Sequence, residues 1–113
     1  MKKIESIIRP EKFEVLRDAL ADVGVGGITV SEVAGTGKQK GQTGVFRGTP
    51  YEIKVVPKIK IEIVVPEAKA NEVIDLIIET CSTEQIGDGK IFVYPVEDAI
   101  RIRTGERGRE AVL

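Results

Sequence analysis

Two parts of this chain repeat one another. Lys3-Ile4-Glu5 reappears as Lys60-Ile61-Glu62, and Val23-Gly24-Val25-Gly26-Gly27-Ile28-Thr29-Val30 lines up with Ile86-Gly87-Asp88-Gly89-Lys90-Ile91-Phe92-Val93, 63 residues further on. After each triplet comes a Pro-Glu pair, Pro10-Glu11 and Pro66-Glu67. Such a pair opens a helix readily, because proline lacks an N–H that the first turn leaves unbonded anyway. Two matches in the same order, on the same kind of element, point to a doubled strand–helix–strand unit. The expected fold class is therefore α+β, ferredoxin-like: a double split βαβ with a four-stranded antiparallel sheet and two helices on one face.

Periodicity fills in the elements. Residues 3–9 read as a strand with Ile4, Ser6 and Ile8 on one face. Phe13, Leu16, Leu20 and Val23 make a helical face that Gly24 ends. Residues 27–34 read as a second strand, with Ile28, Val30 and Ala34 sharing a side. From Lys58, alternation of Ile59, Ile61, Ile63 and Val65 with polar neighbours marks a half-buried strand. Ala70, Val73, Ile74, Ile77, Ile78 and Cys81 form the apolar face of a second helix, and residues 90–96 a fourth strand. Ile100-Arg101-Ile102-Arg103 alternates like a short strand. Between Gly35 and Val56 every period breaks. An irregular stretch of that size in one small domain is usually functional. The tail from Thr104 to Leu113 shows no usable pattern.

Composition removes several functions. The 17 basic and 18 acidic residues give a net charge of −1, so no general attraction to nucleic acid or anionic lipid is expected. Histidine is absent, which removes Ser-His and Cys-His nucleophilic chemistry and the commonest metal ligand. Cys81, the single cysteine, reads as a packed apolar residue. Met1-Lys2-Lys3 leads into no long apolar run, so a soluble, cytoplasmic protein is expected. Residues 1–113 form one domain by length.

Three elements could bind an anion: Gly35-Thr36-Gly37-Lys38-Gln39-Lys40-Gly41, Gly87-Asp88-Gly89-Lys90, and the pair Arg101 and Arg103 on one strand face. Glycines let backbone N–H groups approach phosphate oxygens, and Lys and Arg add charge-assisted bonds. The first is no Walker sequence, since Gly37-Lys38 lacks the spacing and the following Ser or Thr. Together they point to a polyphosphate ligand. Asp88 is expected to shape its turn, and no pair of carboxylates is placed for hydrolysis.

At these residues the chain resembles the PII nitrogen-regulatory signal-transduction proteins over its whole length. Thr83-Glu84-Gln85-Ile86-Gly87-Asp88-Gly89-Lys90-Ile91-Phe92-Val93-Tyr94-Pro95-Val96 fits the family's C-terminal signature. Ile100-Arg101-Ile102-Arg103-Thr104-Gly105-Glu106, the opening Met1-Lys2-Lys3-Ile4-Glu5 and Lys58-Ile59-Lys60-Ile61-Glu62-Ile63-Val64-Val65 match as well. The resemblance implies a non-enzymatic homotrimer in which ATP and ADP compete for clefts between subunits. Thr29, Gly37, Lys38, Val64, Gly87, Asp88, Gly89 and Lys90 would line the site from one subunit, and Arg101 and Arg103 would reach the phosphates from its neighbour. It also implies 2-oxoglutarate beside Mg²⁺-ATP, with Gln39 on the metal, Lys58 on the distal carboxylate, and Lys40, Gly41 and Gly87 contributing around them. Metal between two anions relieves their repulsion, so the ligands would bind with positive coupling.

Residues from Thr36 to Val56 correspond to the family's T-loop, the arm that engages targets, most often an ammonium transporter of the Amt class. The residue matching Arg47 enters the transporter's pore. Lys38 stands where Arg is usual, and Thr36 and Glu11 where Phe is common. Phe46-Arg47-Gly48-Thr49-Pro50-Tyr51 departs from the usual modification segment, leaving Tyr51 and Thr49 as candidate modification sites. These departures motivate an alternative, an adenylate-only sensor acting on another transporter or a carbon-metabolism enzyme. An acylphosphatase-type enzyme fits less well, since the only Asn is Asn71 in a helix. RNA binding through Phe92 and Tyr94 wants a basic surface that this chain lacks.

Overall fold

The computed structural model describes the backbone of residues 1–40 and 51–113 and the side chains of residues 1–36 and 55–113. Its elements follow the doubled unit: β1 (Lys2–Ile8), α1 (Phe13–Asp22), β2 (Thr29–Lys40), β3 (Tyr51–Val65), α2 (Glu67–Cys81) and β4 (Lys90–Pro95), with single 3-10 turns at Pro10–Lys12 and Gly108–Val112. The sheet is antiparallel in the order β2-β3-β1-β4, the expected ferredoxin-like arrangement.

Register explains the core. Ile4 pairs with Ile63 and Val93, and Ser6 with Ile61 and Ile91, so these side chains share the face beneath the helices. Ile4, Ile8, Ile61 and Ile63 are buried there against Leu16 and Leu20 of α1 and Val73 and Ile77 of α2. Both helices follow the predicted stripe except at Ile78, which is exposed. Cys81 is buried, and desolvation raises its thiol pKa. The end of α1 follows from Gly24, which takes φ +86°. Its N–H bonds Ala21 O at 3.0 Å while that of Val25 bonds Leu20 O at 2.9 Å, the paired bonds of a Schellman stop.

Two sequence readings are corrected and one is refined. The stretch from Gly35 to Val56 is not irregular throughout. Pairing of β2 with β3 continues from Gly35↔Val56 to Lys40↔Tyr51, a two-stranded ribbon running past the sheet. Val30 and Ala34 of β2 are exposed, since α1 and α2 do not cover that edge. Ile100–Arg103 is not a strand: Ile100 makes one isolated bridge, to Arg107, and the chain then turns. Bonds from Gly105 N to Arg101 O (2.7 Å) and from Arg101 N to Glu106 O (2.9 Å) close that turn.

Candidate functional site

After α2 the chain crosses from Ser82 to Gly89 before entering β4, and side chains fix this loop from three directions. Arg9, one residue past β1, places Nε 3.0 Å from Asp88 Oδ1 and donates Nη2 to the Ile86 carbonyl at 2.9 Å. Thr83 donates its hydroxyl to Asp88 Oδ1 (2.5 Å) and its backbone N–H to Oδ2 (2.7 Å). Lys58, from β3, donates to the Gly87 carbonyl. The Thr83 hydroxyl and N–H, reinforced by the Arg9 guanidinium, hold the Asp88 carboxyl far below the usual carboxylate range. Asp88 therefore organises the loop, as its turn-shaping role predicts, and both its oxygens are occupied in doing so.

Glycine at position 89 is required by the strand beneath it. Its φ is +99°, and a Cβ there would lie 1.7 Å from the Ile7 carbonyl oxygen. The loop thus rests directly on the end of β1. Above it opens a cavity of about 650 Å³, where Gly35, Thr36, Lys58, Gly87, Gly89 and Lys90 converge. Two ammonium groups and a glycine-rich backbone suit a phosphate or carboxylate ligand.

The other predicted residues gather elsewhere. Thr29, Val64 and Arg101 line a second cavity of about 930 Å³, with Lys3, Lys69 and Arg109 adding positive charge. Lys58 and Val64 are six residues apart on β3, roughly 20 Å at strand rise. The two cavities lie toward opposite ends of the strands. One chain therefore unites Thr29 and Val64 with Arg101, and separates them from Gly87 to Lys90. Arg101 is half-buried, with Nη1 2.6 Å from Glu106 Oε1 and Nη2 donating to the Glu110 carbonyl at 2.9 Å. Arg103, exposed on the turn, makes no ion pair among the described residues.

The backbone of Gly37, Lys38, Gln39 and Lys40 belongs to β2, and that of Tyr51 to β3; their side chains lie outside the described residues. Gly41, Arg47 and Thr49 lie outside them altogether. Sequence reasoning missed Arg9, Thr83 and Glu106 as site-shaping residues. Thr83 and Asp88 stand five residues apart in one loop, a local signal, but the Arg9 contact spans 79 positions and leaves none. No group of three His, Cys, Asp or Glu that could hold a metal occurs among the described residues. Among those residues no helix is long and apolar enough to cross a membrane.

Together these features define a ferredoxin-like α+β fold with two cavities, each lined in part by Lys or Arg, toward the two ends of its strands. The family model described as "Nitrogen regulatory protein P-II" matches residues 1–106, and the chain belongs to that family. The nitrogen regulatory protein P-II of Haemophilus influenzae is 52% identical over 112 residues, covering 99% of this chain and all of the relative. Nitrogen regulatory protein P-II 1 of Escherichia coli is 53% identical over the same coverage. Among solved structures, the GlnK–ATP complex of B. subtilis superposes with TM-score 0.83 at 40% identity, covering 97% of this chain and 94% of that one. Arabidopsis thaliana PII bound to citrate gives 0.79 at 44% identity, covering 98% and 88%.

Proposed function

We propose that this chain is a non-enzymatic signal-transduction regulator of nitrogen metabolism that senses ATP, ADP and 2-oxoglutarate. It works as a cytoplasmic homotrimer and controls a target such as an Amt-class ammonium transporter through the arm between β2 and β3. One observation carries the reading: the Gly87–Lys90 loop, clamped by Arg9, Asp88 and Thr83, sits beside a cavity that also holds Lys58 and Lys90. A largely preformed cradle of this kind binds anions with little reorganisation.

The separation of the two cavities supports a site shared between chains, with Thr29, Val64, Arg101 and Arg103 of one subunit facing Gly87, Gly89 and Lys90 of the next. This grouping moves Thr29 and Val64 to the same side as the arginines. A related GlnK has been solved with ATP and a related PII with citrate, a polycarboxylate, so both ligand classes occur among similar proteins. Gln39 would hold Mg²⁺ through its side-chain oxygen, and the metal would neutralise charge between phosphate and carboxylate. Lys58 would exchange the Gly87 carbonyl for the carboxylate of 2-oxoglutarate.

Calorimetric titration of 2-oxoglutarate with and without saturating Mg²⁺-ATP tests this. Binding only with Mg²⁺-ATP is the expected result. Heat from ATP alone, and never from 2-oxoglutarate, replaces it with the adenylate-only sensor. Absence of ATP binding removes both.

A further inference from the structure

The C-terminal segment folds around Arg101 in a way that an open anion site does not require. The turn closed by Arg101 N and Gly105 N brings the Glu106 carboxylate to 2.6 Å from Arg101 Nη1. Thr104 donates its hydroxyl to the same Oε1 at 2.9 Å and accepts the Glu106 N–H at 3.2 Å, which aims the carboxylate. The second terminal nitrogen of Arg101 donates to the Glu110 carbonyl. Two other cations at this cavity are paired too, Lys3 with Glu62 at 2.6 Å and Lys69 with Glu72 at 3.4 Å, while Arg109 makes no ion pair among the described residues.

A phosphate approaching Arg101 therefore meets a guanidinium whose charge is already balanced. Charge-assisted bonds of this length are strong, and two anions on one guanidinium repel each other. We propose that Glu106 is an affinity- and specificity-determining residue: its carboxylate is the resident anion on Arg101, and a ligand phosphate binds by replacing it. This rests on the reading that Arg101 contacts nucleotide phosphates. Glu106 then sets a threshold, so ligands rich in phosphate charge displace it and poorer ones do not. The exchange leaves Arg101 paired in both states, so its half-buried charge is compensated with or without ligand.

The test is titration of Mg²⁺-ATP, and separately of adenosine, into the full chain and its Glu106→Gln and Thr104→Val variants. Glu106→Gln keeps the shape and removes the charge, and it is expected to bind ATP about twofold to fivefold tighter, with adenosine unchanged. Thr104→Val, which frees the carboxylate from its aim, is expected to shift ATP the same way by less. Equal or weaker ATP binding by Glu106→Gln overturns the proposal, as does equal tightening for ATP and adenosine, which marks a loosened segment. If Glu106→Gln fails to fold in a thermal scan, Thr104→Val decides, and an unchanged or weaker ATP affinity there overturns it. A wild-type chain that binds no ATP defeats the underlying nucleotide reading instead, so the two failures are distinguishable.

Discussion

At the scale of single residues, the candidate site depends on positions whose roles differ in kind. Gly89 is set by space: a methyl group there meets the Ile7 carbonyl at 1.7 Å, and φ +99° is hostile to any side chain. Gly89→Ala is expected to cost at least about 2 kcal/mol of stability, from backbone strain plus the displacement of β1. ATP affinity should fall with it; a variant with wild-type melting temperature would show that the loop can lift off β1 freely. Asp88 is set by charge. Its folded pKa is depressed by Thr83 and then Arg9, so its stabilising contribution is present above the unfolded value of about 3.9 and lost as pH falls below it. The difference in melting temperature between wild type and Asp88→Asn should be constant from pH 7 to about 5 and shrink below about 4. Other depressed carboxyls, those of Glu62 and Asp98, titrate in both proteins and cancel from the difference. A gap that stays constant into acid would mean that hydrogen-bond geometry, and not charge, holds the loop.

At the scale of elements, what was legible in the sequence had a period, and what was not had partners far away. The alternation from Lys58 to Val65 and the helical stripes of α1 and α2 fixed the sheet's core face, because burial on one side leaves a repeat that the chain itself displays. The β2–β3 ribbon escaped notice because its glycines and polar residues carry no such repeat; backbone pairing alone extends it. Arg101 and Arg103 misled in the opposite direction. Their alternation mimics a strand, yet Thr104, Gly105 and Glu106 supply the bonds of a tight turn that overrides it. The doubled glycine loops were visible as a motif, while the Arg9 clamp was not, since an ion pair between β1's end and the loop before β4 exists only in three dimensions. Ser6 shows the limit inside a well-read element. Its place on the inner face of β1 is correctly given by alternation, but its hydroxyl is buried with no hydrogen-bond partner among the described residues. Removing an unpaired buried hydroxyl relieves its desolvation, so Ser6→Ala should stabilise the fold by up to about 1 kcal/mol. In urea the midpoint should rise with unchanged slope. A fall in midpoint would mean that the hydroxyl does find a partner.

At the scale of the whole molecule, one chain leaves a set of large apolar side chains open, which favours the assembly proposed above. Phe92 and Tyr94 project from the sheet face that the helices do not cover, with Lys3 stacked 5.4 Å from the Tyr94 ring. Ile86 and Ile102, on the two segments that flank the cavities, are almost entirely exposed, and Ile100 is about half so. Apolar side chains gathered beside polar cavities mark an interface, and a chain of this size gains core by association. The open face carries Glu5 directly opposite Glu62 in register, and Lys3, bridging the two, offsets part of their repulsion. The homotrimer proposed above uses these surfaces to bring the Arg101 cavity of one subunit against the Gly87 cavity of the next. Sedimentation should then give three times the 12.3 kDa of one chain. Ile102→Asp tests the coupling of assembly to binding, because it places a carboxylate on the most exposed apolar residue without touching either cavity's lining. It is expected to lower the sedimenting mass and to weaken ATP binding at least tenfold, with the loss partly recovered at high protein concentration as subunits reassociate. A dissociated chain that retains full ATP affinity would place the complete nucleotide site within one subunit. The separation between its two cavities would then have to be closed by the chain's own movement.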